Sequence, residues 1–65
     1  MWPTLTVGSF YRIWALGHSR GLRRAMLVGI EPDGRLDLAL EPISPRSRWR
    51  PWGLARSEVR GVFAS

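Results

Sequence analysis

The chain has no cysteine, lysine, asparagine or glutamine, and it carries one histidine (His18) and one tyrosine (Tyr11). Without cysteine there are no disulfides and no thiolate metal sites, and redox compartment is left open. One histidine cannot build a zinc site unaided. There is no apolar run of about 18 residues, so no membrane span is expected. The N-terminus lacks the basic and apolar regions of a secretory signal. The chain opens on Met1 and is expected to be a complete cytoplasmic protein or the product of a phage-type small open reading frame, one domain over residues 1–65.

What is present is aromatic and basic. A chain of 65 residues buries only about 60% of its unfolded surface, so its stability is marginal. Small domains that lack disulfides and metals rely on an efficient core or on a partner subunit. Four tryptophans, two phenylalanines and the tyrosine favour an aromatic core, since each ring buries a large area. All ten cations are arginine and the net charge is +5. The charge is segregated. Residues 31–41 hold four acids and one arginine, a net of −3, and the rest holds nine arginines and Glu58, a net of +8. Such polarity suits a protein that turns a basic face to a polyanion.

The strongest structural signal runs from Ala25 to Glu41. It reads as two strands around Pro32-Asp33-Gly34, with Pro32 presetting φ and Gly34 able to take φ > 0. Glu31 then faces Arg35, and the register sets Ile30 opposite Leu36, Val28 opposite Leu38 and Met26 opposite Leu40, all on one face. Gly29 lies mid-strand, where it weakens pairing unless the strand bends.

Val7 to Leu16 reads as the first strand. Tyr11, Ile13 and Ala15 share one face, and Phe10, Arg12, Trp14 and Leu16 share the other; two apolar faces point to a strand covered on both sides in a monomer, or to one face set against a partner. Residues 17–21 form a loop by composition. A two-proline loop, residues 42–47, precedes an irregular fourth strand, Arg48 to Trp52, which Pro51 confines to an edge or a bulge. Residues 53–58 suit one helical or 3₁₀ turn, with a longer helix over residues 54–60 as the competing assignment. Val59 to Phe63 closes as a short strand. Met1 to Thr6 is a lead-in that either docks or frays.

Five short strands with a turn before the last make the chain all-β, in the layout of an SH3-like small five-stranded barrel. The run Gly8-Ser9-Phe10-Tyr11-Arg12-Ile13, a glycine loop, then Val28-Gly29-Ile30 and Asp33-Gly34 resembles the KOW-type barrels of ribosomal and transcription proteins. Val59-Arg60-Gly61 is similar to the Arg-Gly of the second Sm motif, although the asparagine of the first Sm motif has no counterpart here. The resemblance implies binding to RNA or RNA polymerase.

Two basic tracts carry the functional expectation. In Arg46-Ser47-Arg48-Trp49-Arg50-Pro51-Trp52, guanidinium groups suit phosphate and tryptophan faces suit unpaired bases. Alternation presents Arg48 and Arg50 together and turns Trp49 the other way. In His18-Ser19-Arg20-Gly21-Leu22-Arg23-Arg24, three arginines beside flexible glycines suit a nucleic-acid backbone. The expected nucleic-acid contacts are Arg20, Arg23, Arg24, Arg46, Arg48, Trp49, Arg50 and Trp52. The bland alternative is that the tryptophans are core and the arginines a solvated face.

Glu31, Asp33, Asp37 and Glu41 lack calcium-loop spacing and read as turn cap and solubility. No acid–base or nucleophile set converges, so an enzyme is not expected, nor any cofactor or metal. The expected function is binding to nucleic acid, RNA or single-stranded DNA rather than duplex. The alternative is a protein-interaction module or small regulatory or inhibitory subunit, docked on a larger nucleoprotein complex or self-associated as a homo-oligomer, with exposed Trp and Arg as anchors.

Overall fold

The computed structural model describes residues 2–17 and 22–65. Five strands, β1 (Phe10–Ala15), β2 (Arg23–Ile30), β3 (Leu36–Leu40), β4 (Arg50–Leu54) and β5 (Val59–Ala64), form one antiparallel sheet in the order β4-β3-β2-β1-β5. A single 3₁₀ turn, Arg56–Glu58, joins β4 to β5. The longer helix over residues 54–60 does not form. Ala55 N–H donates to Glu58 Oε1 (2.9 Å) and Glu58 N–H donates to the Ala55 carbonyl (2.9 Å). The turn is closed on itself, and the chain passes straight into β5. Among the described residues no helix is long and apolar enough to cross a membrane.

The β2–β3 turn follows its residues. Gly34 has φ +91° and donates its N–H to the Glu31 carbonyl (2.9 Å). Glu31 N–H donates to the Arg35 carbonyl (2.8 Å), and Asp33 Oδ1 accepts Arg35 N–H (3.0 Å). This is a three-residue hairpin loop with glycine at the left-handed position. Pro51 lies on β4, at the edge of the sheet, where a missing N–H costs no ladder bond.

Beyond the turn, the expected register fails. Ile30 lies opposite Leu36 and Gly29 opposite Asp37, but the pairing then slips. Leu27, not Val28, faces Leu38, and Ala25, not Met26, faces Leu40. Val28 is the extra residue of a β-bulge and is 52% exposed, while Leu27 and Ala25 are fully buried. Residues 25–30 hold two interleaved apolar sets, and the bulge selects the one with Leu27. Next to side-chain-free Gly29, the chain can bend. On its other side Leu27 is held by the lead-in, since its N–H donates to the Ser9 carbonyl (2.9 Å) and its carbonyl accepts Gly8 N–H (2.7 Å).

The inner face gathers Tyr11, Ile13 and Ala15 of β1, Ala25 and Leu27 of β2, Leu36 and Leu38 of β3, Leu54 of β4 and Val62 of β5. With no second layer among the described residues, that burial requires the sheet to curl over its own face. The lead-in docks rather than frays. Tyr11 OH accepts Thr6 N–H (2.7 Å) and donates to the Thr4 carbonyl (3.2 Å), and Trp2 and Leu5 pack on the core. The Arg56 guanidinium sits 3.6 Å over the Trp2 ring.

Two further expectations are corrected. The core is aliphatic apart from Tyr11, not aromatic. The second face of β1 is also largely uncovered: Trp14 is 52% exposed, and Phe10 is covered in part by Trp49 and Arg24. A curled single sheet has one interior, and among the described residues no further strand or helix is layered on its outer side to bury the other set.

The bulge predicts an inverted pair of mutational costs, read by urea denaturation. Leu27→Ala should cost about 2–5 kcal/mol. Val28→Ala should stay within about 0.5 kcal/mol, as at other surface sites. A larger cost at Val28 would mean that the unbulged register holds.

Candidate nucleic-acid interface

The sheet has two chemically opposite ends. One carries the β2–β3 turn with Glu31 and Asp33. At the other lie the start of β2, the end of β3 and the start of β4. There the inner face continues past Ala25 and Leu40 into charged residues. Arg50 is opposite Leu40, and Arg23 is opposite Ile13. Arg23, Arg48 and Arg50 line one cavity of about 180 Å³, together with Glu41, Ile43 and Ser47. Arg23 Nη2 donates to the Glu41 carbonyl at 3.5 Å, a marginal bond that leaves most of its donors uncommitted.

The loop before β4 is shaped by its own turn. Ser47 N–H donates to the Ser44 carbonyl (3.1 Å), and the two hydroxyls are 3.0 Å apart. Pro45 and Arg46 occupy the corners, which leaves Arg46 exposed and outside the cavity lining. From there the chain alternates. Arg48 and Arg50 turn to the cavity, and Trp49 turns to the outer face of the sheet.

On that outer face Trp49 reaches back across the sheet to Phe10, with ring centroids 5.9 Å apart and planes tilted by 56°. β4 and β1 are three strand spacings apart, about 14 Å, so the indole spans much of that interval. It remains 47% exposed. A groove of about 490 Å³ runs beside it, lined by Val28, Asp37, Ala39, Pro51 and Trp52 among others, and Arg50 borders both this groove and the arginine cavity. Trp52 itself is half-buried and packs against the core.

Adjacent residues of a strand point to opposite faces, and this separates Arg23 from Arg24. Arg24 faces outward and is committed to three partners. Its Nη1 meets Glu41 Oε1 at 2.6 Å, its Nε donates to Ser65 Oγ (2.8 Å), and its guanidinium lies 4.0 Å over the Phe10 ring. Arg24 thus braces the outer face, while Arg23 serves the cavity. Arg20 lies outside the described residues. Of the expected set, Arg23, Arg48 and Arg50 come together; Trp49 and Trp52 border the adjoining groove.

A second exposed group, Arg12, Trp14 and Phe63, lies outside the expected nucleic-acid set. Its signals in the sequence are the second apolar face of β1 and more large rings than one small barrel can bury. At the opposite end, the Glu31 carboxyl is raised above its ordinary pKa, first by a hydrogen bond with Asp37 and then by the repulsion of that carboxylate, with Arg35 partly offsetting. Among the described residues no group of three or more His, Asp or Glu is placed to hold a metal ion.

Comparison with protein-family models, with curated proteins and with solved structures finds no match.

The Glu31–Asp37 repulsion sets a pH dependence. A carboxyl whose pKa is raised by folding stabilises the fold below its unfolded pKa and loses that contribution as pH rises through the folded value. Glu31→Gln should therefore raise the thermal midpoint at pH 7 and leave it unchanged at pH 3, by circular dichroism melts. An equal shift at both pH values would point to a cause other than charge.

Proposed function

We propose that this protein is a small SH3-like β-barrel that binds single-stranded nucleic acid, RNA or DNA, as a binding protein rather than an enzyme. The strand order with a 3₁₀ turn between β4 and β5 supports the barrel, as does a core drawn from both edge strands. The observation that carries the binding proposal is the convergence of Arg23, Arg48 and Arg50 on one cavity, at the end of the sheet away from the acidic turn. Three planar guanidinium forks around one concavity suit a phosphate, which offers several acceptor oxygens to each. Glu41 borders the same cavity, but Arg24 engages its carboxylate.

The single-stranded preference rests on Trp49. A half-exposed indole beside the arginines offers a face to an unpaired base, whereas bases in a duplex are already stacked. Sequence-independent phosphate contact supplies the affinity, and stacking orders the strand.

The competing proposal is a protein-interaction module or regulatory subunit, with the exposed Trp and Arg side chains as interface anchors. The two part on salt. Fluorescence anisotropy of a labelled single-stranded oligonucleotide should show an affinity that falls steeply with salt. Each neutralised phosphate contributes about 0.7 to the log–log slope. The double variant Arg48→Ala/Arg50→Ala should therefore lose about 1.4 from that slope. Absence of binding to RNA, single-stranded DNA and duplex at low salt would overturn the nucleic-acid proposal in favour of the protein partner.

A further inference from the structure

The outer face of β1 and β5 is not used by the cavity, and its composition is unusual for a solvated sheet. Phe10, Arg12 and Trp14 alternate along β1 toward the outside, about 6.8 Å apart from one to the next. Arg12 lies opposite Phe63 on one side and Arg24 on the other, and Trp14 lies opposite Gly61. Trp14 is 52% exposed and Phe63 46%. A side chain at Gly61 would sit 2.9 Å from the Phe63 ring, so glycine is what lets that ring lie down over β5 beside Trp14.

The charges on this face point to an anionic occupant. Arg12 and Arg24 are directly opposite each other, and like charges in that position destabilise a sheet. Glu41 neutralises Arg24, but Arg12 has no ion-pair partner among the described residues. An uncompensated cation flanked by open aromatic rings suits neither a solvated surface nor a purely apolar contact. Phosphate beside Arg12, with bases on Trp14 and Phe63, satisfies both.

From these placements we infer that the outer face of β1 and β5 is a second stacking station for single-stranded nucleic acid. The strand leaves the arginine cavity past Trp49 and Phe10 and crosses the sheet to Arg12, Trp14 and Phe63. This inference rests on the proposed function and extends it from a phosphate grip at one end to a track across the sheet. From Phe10 to Trp14 the track covers about 14 Å of strand. Together with the arginine cavity and Trp49, it engages several nucleotides, within the range of roughly four or more that an OB-fold barrel holds.

The test is anisotropy of labelled oligouridylate and oligothymidylate, four and eight nucleotides long, with wild-type protein and with Trp14→Ala, Trp14→Phe, Phe63→Ala and Arg12→Ala. Folding of each variant is checked by circular dichroism. Stacking of one base is worth about 1–3 kcal/mol, so Trp14→Ala should weaken eight-nucleotide binding at least about fivefold. Trp14→Phe should recover most of that loss, and Arg12→Ala should reduce the salt slope by about 0.7. If wild type binds and Arg48→Ala/Arg50→Ala weakens it, while folded Trp14→Ala and Phe63→Ala bind the eight-mers within twofold of wild type, the second station is wrong and the proposed function stands. If wild type binds no nucleic acid, both fall. A dimer of free wild-type protein by sedimentation, made monomeric by Trp14→Arg, would overturn the inference by assigning the face to a second copy of the chain.

Discussion

The extra residue at Val28 sets the parity of β2, and that parity decides which of two adjacent arginines reaches the cavity. On the turn side of the bulge the strand is in step with Ile30 opposite Leu36; beyond it, Leu27, Ala25 and then Arg23 share the inner face. In an unbulged strand Met26 and Arg24 would point inward and Arg23 outward. The core would lose Leu27, the cavity would lose one of its three arginines, and Arg24 could no longer brace Phe10 and Glu41 from outside. One inserted residue thus couples the packing of the interior to the chemistry of the sheet end.

Much of the fold was legible in the residues. The turn chemistry of Pro32, Asp33 and Gly34, the inner set Tyr11, Ile13 and Ala15, the edge position of Pro51 and the single turn before β5 all follow from local rules. The bulge did not. Period-two alternation fits Ala25 and Leu27 as well as Met26, Val28 and Ile30, and Gly29 signals a bend without saying which neighbour is extra. The exposure of Trp14 was one of two open readings, because a strand with two apolar faces is either covered on both sides or turned outward to a partner, and alternation alone does not choose between them. Within the candidate site, the alternation of Arg48, Trp49 and Arg50 was readable. The separation of Arg23 from Arg24 was not, because it depends on the parity of β2.

Seven rings in so short a chain suggested a core made efficient by size. Instead the interior is filled by leucine, isoleucine, valine and alanine around Tyr11, and Trp14, Trp49 and Phe63 stand largely outside. Rings of that area left in water weaken solubility and favour association. Their interleaving with arginine, and the gathering of acidic residues at the far turn, underlie the proposed binding of single-stranded nucleic acid.

The most direct measurement is a two-dimensional ¹H–¹⁵N NMR titration of the protein with an unlabelled eight-nucleotide single strand. The account predicts shifts of the Trp14 and Trp49 indole N–H signals and of the Arg23, Arg48 and Arg50 amides, with Gly34 at the acidic turn unmoved. Shifts centred on Glu31 to Gly34, or none at any of these positions, would contradict it.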